Sequence, residues 1–251
     1  MSEPYINYTL KDNIATIEFF TLQHNSLPAE ILSRLTAAIQ YAGKDNSRVL
    51  ILRSGGDKTF CAGASFDELM GIENEEQGHK FFSGFANVIN AMRTCPKFIL
   101  GRVQGKAIGG GVGLASACDY SFATANAEIK LSELAVGIGP FVVGPAVERK
   151  IGTSAAYELA IDAGNFRSAH WAKEKGLYTE VFDETAEMDI AIQKLATTLA
   201  ASSPEAMSEI KKAFWKGTED WDELLVERAA ISGRLVLSNY TKDFIKKFKK
   251  P

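Results

Sequence analysis

A run of small residues from Gly109 to Gly113 (GGGVG) is the feature that most restricts how this chain can fold. The run follows a predicted strand at 98–103 and opens a predicted helix, where free N–H groups and the helix dipole favour negative charge. Glycine also lets a ligand approach the main chain closely. A second small-residue turn, Cys61 to Ser65 (CAGAS), has the same setting of strand, turn and helix. We therefore expect two N–H groups to point at one oxygen atom.

The order of predicted elements indicates the α/β class. Strands and helices alternate from residue 14 to residue 123, whereas only helices are predicted from about residue 190 onward. These late helices are predicted at 190–201, 204–215, 221–237 and 241–249. We predict an α/β core over residues 1–190, a helical region over 191–251 and a mobile surface loop at Glu73 to Gly78 (ENEEQG).

Composition narrows the functional classes. A formal net charge of −3 gives no reason to expect nucleic-acid binding, and no apolar run approaches the length of a membrane span. The first residues lack a signal-peptide pattern. The three cysteines show no CxxC spacing, so neither a disulfide framework nor a metal site is predicted. We expect a cytoplasmic protein that binds neither membranes nor metal.

The glycine run fits a dinucleotide-binding fingerprint poorly. It lies in the middle of the chain, and Ser116 stands where GxGxxG requires its last glycine. A tight turn with close helix–strand packing is the structural alternative. Glycine alone does not exclude that alternative.

Five sequence segments taken together indicate a protein family more specifically than the glycine run does alone. GGDKTFCAGASFDEL (residues 55–69) and VQGKAIGGGVGLASACDYSFA (103–123) resemble the two signature segments of the enoyl-CoA hydratase/isomerase family, the crotonases. The resemblance continues through AEIKLSELAVGIG, VERKIG and AHWAKEKGL, in the family's order and spacing. It implies a crotonase-like spiral of ββα units, a helical C-terminal region used for trimer contacts, and an acyl-CoA substrate. Homotrimers or homohexamers are implied in the same way.

The resemblance also implies an oxyanion site. Reactions of CoA thioesters build negative charge on the thioester oxygen, which preorganised N–H donors stabilise. In the family's pattern these donors are the main-chain N–H groups of Ala64 and Gly110. A backbone role explains why small residues suffice at both positions.

The acid–base groups depart from the usual hydratase pattern. Family hydratases usually carry one glutamate two residues after the glycine triplet, where this chain has Gly113, and another about twenty residues later, matched by Glu133. The stretch from Pro140 to Pro145, where some isomerases place an acid, is apolar. Glu133 is thus the one motif-matched acid, and apolar neighbours are expected to raise its pKa. A surface carboxylate or a turn cap is the structural alternative for Glu133.

Other positions are assigned to binding by the same resemblance. The coenzyme A contacts are expected from Ser26, Leu27, Ala62, Ser65, Phe66, Phe248 and Lys249. Position 65 is often aspartate in the family, and Ser65 here can instead cap the following helix. The lysines of the last ten residues are either a solvated helix face or a contact for a phosphorylated ligand. Gly113, Phe141 and Val142 are expected to line an apolar acyl pocket.

Three functions follow, in order of preference. The combination of GGGVGL with the apolar stretch after SELAVGIGP resembles the methylglutaconyl-CoA hydratase-like branch, which predicts hydration of a 2-enoyl-CoA. A Δ3,Δ2-enoyl-CoA isomerase is the second reading, because moving one proton between two carbons needs only one base. A non-catalytic acyl-CoA-binding homologue is the third. No cofactor is expected, because coenzyme A is part of the substrate.

Overall fold

The computed structural model describes residues 3–248 and confirms the predicted α/β order. The strands are β1 (Tyr5–Lys11), β2 (Ile14–Phe20), β3 (Val49–Ser54), β4 (Thr59–Cys61), β5 (Phe98–Val103), β6 (Lys106–Ile108), β7 (Tyr120–Thr124), β8 (Ile129–Lys130) and β9 (Glu180–Phe182). The helices are α1 (Ala29–Ala42), α2 (Phe66–Met70), α3 (Glu75–Thr94), α4 (Gly110–Ala117), α5 (Gly144–Ile161), α6 (Ala169–Glu174), α7 (Thr185–Ala200), α8 (Pro204–Phe214), α9 (Trp221–Leu235) and α10 (Asn239–Phe248). A short 3₁₀ turn spans Leu134–Val136.

The strands form two sheets. The larger has the order β1-β2-β3-β5-β7-β9, in which only β1 and β2 pair antiparallel. The smaller has the parallel order β4-β6-β8. Four successive residues of β3, Val49 to Leu52, are buried, as expected of a parallel strand covered on both faces.

Successive chain segments repeat one path. A strand of the large sheet leads into a strand of the small sheet and then into a helix, as in β3-β4-α2, β5-β6-α4 and β7-β8-α5. Parallel strands require such crossovers. The resulting spiral places the turns after β4 and β6 next to each other, since β4 pairs with β6.

The late helices form where they are predicted, with shifted ends. The predicted boundary between residues 190 and 191 falls inside α7, whose buried residues Met188, Ile192 and Ala196 pack on the large sheet. Pro204 starts α8 after Ser203, whose hydroxyl accepts a hydrogen bond from the Ala206 N–H. No helix among residues 3–248 is long and apolar enough to cross a membrane.

The predicted mobile loop at Glu73–Gly78 is wrong, because this segment contains the first turn of α3. The Asn74 side chain accepts a hydrogen bond from the Gln77 N–H, so it caps the helix. Gly78 is buried against α9, where a Cβ would lie 2.7 Å from the Gly233 Cα. Contact between two glycines therefore lets α3 and α9 cross closely.

A buried ion pair ties α8 to the sheet. Lys211 donates to the Asp119 carboxylate at 2.8 Å and to the carbonyl oxygens of Met92 and Lys97. The Trp215 indole N–H also donates to Asp119. Every hydrogen of the Lys211 ammonium thus has an acceptor, which offsets the cost of burying the charge.

Candidate active site

The turn after β4 is fixed by backbone hydrogen bonds to Leu27, in the loop before α1. Gly63 has φ +88°, a conformation that favours glycine, and its carbonyl accepts a hydrogen bond from the Leu27 N–H at 2.8 Å. The Ser65 N–H donates to the Leu27 carbonyl at 3.1 Å. Between them, the Ala64 N–H has no partner among residues 3–248. This donor is available to a ligand.

The turn after β6 presents a second donor. Gly109 has φ +53°, and its N–H donates to the Lys130 carbonyl, so the chain turns sharply into α4. Gly110 is the first residue of α4, and its N–H has no partner in the described part of the chain. A Cβ on Gly110 would lie 2.2 Å from the Phe85 ring, so a larger residue cannot stand here without moving Phe85.

The two turns are in contact. A Cβ on Gly63 would lie 3.4 Å from the Gly110 nitrogen, and one on Gly111 would lie 2.3 Å from the Cys61 carbonyl oxygen. The absence of side chains at these positions is therefore what allows the approach. The free N–H groups of Ala64 and Gly110 belong to adjoining turns, which is the arrangement an oxyanion site needs.

Glu133 brings a carboxylate to this point. It stands immediately before the 3₁₀ turn, and its Oε1 lies 3.0 Å from where a Cβ of Gly109 would be. Its Oε2 is buried with no hydrogen-bond partner among the described residues. Burial raises the pKa of Glu133 to about 7, while a hydrogen bond with its own backbone opposes the rise. Both protonation states are therefore accessible near neutral pH.

A cavity of about 180 Å³ joins these groups. Ala64, Gly110 and Glu133 all line it. Most of the remaining wall is apolar, and it includes Leu69, Phe82, Phe85, Val136, Ile138, Phe141, Val142 and Val143. An apolar wall keeps the Glu133 carboxylate poorly solvated and suits a hydrocarbon substituent.

Phe141 and Val142 both line this cavity, whereas Gly113 does not. A Cβ on Gly113 would lie 2.5 Å from Cγ1 of Val143. Val143 itself lines the cavity. The space that a side chain at position 113 needs is therefore filled from α5's N-terminal end.

A neighbouring groove of about 310 Å³ shares Ala62, Ala64 and Phe66 with the cavity. Ser26 lines this groove as well. Leu27 is fully buried, with both main-chain groups bonded to the turn. Ser65 is also buried, and its hydroxyl caps α2 by accepting from the Glu68 N–H. Of the expected coenzyme A contacts before residue 70, three therefore face the groove and two support the turn.

The expected C-terminal contacts are placed only in part. Lys249 lies outside the described residues, and of Phe248 only the backbone, at the end of α10, is described. The start of α10 packs against the 3₁₀ turn that follows Glu133: a Cβ on Gly137 would lie 2.5 Å from the Tyr240 ring. Within residues 3–248, no group of three or more His, Cys, Asp or Glu residues is placed to hold a metal ion.

Some cavity residues have no local signal in the sequence. Ser232 reaches the cavity from α9, about a hundred residues from the motifs, because α9 crosses α3. Phe85 belongs to the apolar face of α3, and only its position beneath Gly110 gives it a role at the site. Outside this cavity, the buried Asn25 side chain donates hydrogen bonds to the Gly55 and Thr59 carbonyl oxygens and so fixes the loop before α1.

Comparison with known proteins identifies the class. The model of the family described as enoyl-CoA hydratase/isomerase matches residues 9–246. A crystal structure of enoyl-CoA hydratase from Bacillus halodurans superposes with a TM-score of 0.89 at 19% identity, covering 97% of this chain and 99% of that one. The fold is therefore that of the crotonases, as predicted.

Two curated relatives agree with this class. The chain is 35% identical over 199 residues to "Putative enoyl-CoA hydratase/isomerase YngF" of Bacillus subtilis, covering 78% of this chain and 75% of that protein. It is 34% identical over 200 residues to mitochondrial methylglutaconyl-CoA hydratase of Mus musculus, covering 78% of this chain and 63% of that protein, less than two thirds of its length. This chain belongs to the enoyl-CoA hydratase/isomerase family.

Proposed function

We propose that this protein hydrates a 2-enoyl-CoA thioester. The observation that carries the proposal is the buried Glu133 carboxylate in the same apolar cavity as Ala64 and Gly110, whose N–H groups have no partner among residues 3–248. The similarity to methylglutaconyl-CoA hydratase supports hydration. No cofactor takes part, because coenzyme A belongs to the substrate.

In the proposed mechanism the thioester oxygen accepts hydrogen bonds from the Ala64 and Gly110 N–H groups. The ionised Glu133 takes a proton from water as the water oxygen bonds to C3, and the C2–C3 π electrons move into the enolate. The protonated Glu133 then gives that proton to C2. One carboxylate thus serves as base and then as acid, which a pKa of about 7 permits at neutral pH.

Coenzyme A would occupy the groove that shares Ala62, Ala64 and Phe66 with the cavity. Its pantetheine would then meet the cavity beside Ala64.

We also propose a homotrimer or homohexamer in the cytoplasm, in line with the sequence-based expectation. Sedimentation velocity of the purified chain tests the oligomer, and a monomer would contradict it.

Isomerisation of a 3-enoyl-CoA is the second candidate, and the filled space at Gly113 favours it. Val143 leaves no room there for a second carboxylate, and a single base can carry a proton from C2 to C4. The position of Glu133 beside Gly109 supports either reaction over a purely binding role.

The experiment that separates these functions uses 2-enoyl and 3-enoyl thioesters in ¹⁸O-labelled water. Hydration of the 2-enoyl substrate adds one labelled hydroxyl at C3. Migration of the 3-enoyl double bond without gain of a hydroxyl would establish isomerisation and overturn the proposal. Failure to convert either thioester, with binding retained, would establish the binding role.

A further inference from the structure

A second cavity adjoins the cavity of the candidate site. The second cavity, about 290 Å³, shares Pro140 and Phe141 with the first. The groove assigned to coenzyme A shares a different set, Ala62, Ala64 and Phe66. The first cavity therefore has one edge toward the groove and another toward Phe141.

Phe141 is held firmly in place. Its ring lies over Gly139, where a Cβ would be 2.5 Å from the ring. Its N–H donates to the Gly139 carbonyl at 2.8 Å, and the Gly144 N–H donates to the Pro140 carbonyl at 2.7 Å. Two backbone hydrogen bonds thus fix the turn that carries the ring.

The second cavity suits a hydrocarbon chain along much of its wall. Leu131, Val147 and Ala156 line it, and the first two are buried. Its charged members are the exposed Glu148 and the half-buried Arg228. The Glu148 carboxylate accepts a hydrogen bond from the Thr153 hydroxyl. An acyl chain that passed Phe141 would therefore find apolar surface beyond it.

We propose that the Phe141 ring sets the acyl-chain length this protein accepts, by closing the first cavity against the second. The inference rests on the proposed function for the identity of the ligand as an acyl-CoA. With Phe141 in place, short acyl groups fill the first cavity and longer chains meet the ring. With the ring removed, the distal methylenes enter the second cavity.

The test measures binding of saturated butyryl-, hexanoyl-, octanoyl- and decanoyl-CoA by calorimetry, so turnover is not needed. Each buried methylene contributes ~0.8 kcal/mol, roughly a fourfold gain in affinity. We expect Phe141→Ala to bind decanoyl-CoA at least about tenfold more tightly than the wild type, since two or more methylenes become buried. Butyryl-CoA should gain no affinity in this variant, because so short a chain buries no further methylene.

Two further variants distinguish closure of the first cavity by Phe141 from a general loosening of the acyl pocket. Val142 lines only the first cavity, so Val142→Ala should not create the gain for decanoyl-CoA. Ala156 lines only the second, so Phe141→Ala combined with Ala156→Leu should abolish it. No gain in Phe141→Ala, an equal gain in Val142→Ala, or a gain that survives Ala156→Leu would overturn the inference. Failure of the wild type to convert any enoyl-CoA would overturn the proposed function alone.

Discussion

Ionisation of the Glu133 carboxyl is costly in free energy, and Glu133 lies where the proposed reaction needs an ionised carboxylate. A pKa moved from 4.5 to about 7 means that charging this carboxyl costs about 3 kcal/mol more than in water. The folded chain therefore loses stability as pH rises from 4.5 through 7, because the folded state holds its proton more tightly than the unfolded state. Such a cost is typical of catalytic acids and bases.

The pH dependence of the reaction follows from the same pKa. Only the ionised carboxylate can take a proton from water, so kcat/KM for a 2-enoyl-CoA should fall about tenfold per pH unit below a midpoint near 7. Stopped-flow assays from pH 5 to 9 measure the profile. Binding of butyryl-CoA over the same range controls for titration of coenzyme A itself. A midpoint near 4.5 would contradict the buried environment of Glu133.

The position of Glu133 beside the two turns could be predicted from motif spacing, and its environment could be predicted only in part. Apolar neighbours such as Leu131 indicate a raised pKa, but the orphaned Oε2 results from a cavity built by α3, α9 and the turn before α5. No local pattern shows that Ser232 of α9 lies in this wall. Contacts between α3 and α9, which lie more than a hundred residues apart in sequence, place Ser232 there.

At the scale of elements, α4 and α5 meet where other family members are expected to carry a carboxylate. Gly113 lies on α4, and Val143 immediately precedes α5 and packs onto it. A side chain at position 113 therefore competes with Val143 for one space. This packing explains in physical terms why Glu133 is the one carboxylate among the described residues that line the cavity.

A mutant cycle measures this packing. Gly113→Ala should destabilise the protein, because overpacking costs about 1–3 kcal/mol and exceeds the gain of helix propensity of about 1 kcal/mol or less. On a Val143→Ala background the same change should be neutral or stabilising, because the space is open. Urea denaturation of the four proteins gives the coupling free energy. A coupling of zero would show that the two residues do not compete.

Prediction of helices and strands succeeded where hydrophobic periodicity was strong, and it failed where contacts distant in sequence determine the structure. Ile31, Leu35 and Ile39 recur every four residues, a pattern that predicts a helix, and they form part of the buried face of α1. Strands β6 and β8 have three and two residues, too few for a pattern, and pairing within the small sheet defines them. The acidic start of α3 lacks apolar residues, and its packing depends on Gly233.

In the whole molecule, the buried pair Lys211–Asp119 joins a late helix to the spiral. The Asp119 carboxylate also accepts from the Ile99 N–H at the start of β5, so one side chain links α8 to the large sheet. Removing one member of a buried pair leaves a charge without compensation. The late helices are thus coupled to the sheet that carries the site.

Lys211→Met should lower the free energy of unfolding by about 3–5 kcal/mol. Lys212→Met is the matched control, because Lys212 is exposed and its pairing with Glu209 contributes at most about 0.5 kcal/mol. Urea denaturation followed by circular dichroism measures both. Equal, small losses in the two variants would contradict the anchoring role.

The overall architecture was predictable because the motif succession is specific to one family. The exact division of the chain was harder to read, because α7 looks like the other late helices and yet covers the large sheet. Amphipathic pattern shows that a helix has a buried face and does not show what buries it. That information lies in the strands Val49–Ser54 and Phe98–Val103, far away in sequence.

The most direct test of the account compares Glu133→Gln with the wild type in ¹⁸O-labelled water. Glu128→Gln is the matched control, since Glu128 pairs with Lys106 and lies outside the cavity. We predict that wild type and Glu128→Gln place one labelled oxygen at C3 of a 2-enoyl-CoA. Glu133→Gln should do so at least about 10³-fold more slowly while butyryl-CoA binding is retained. Label incorporation by Glu133→Gln at the wild-type rate would contradict the account.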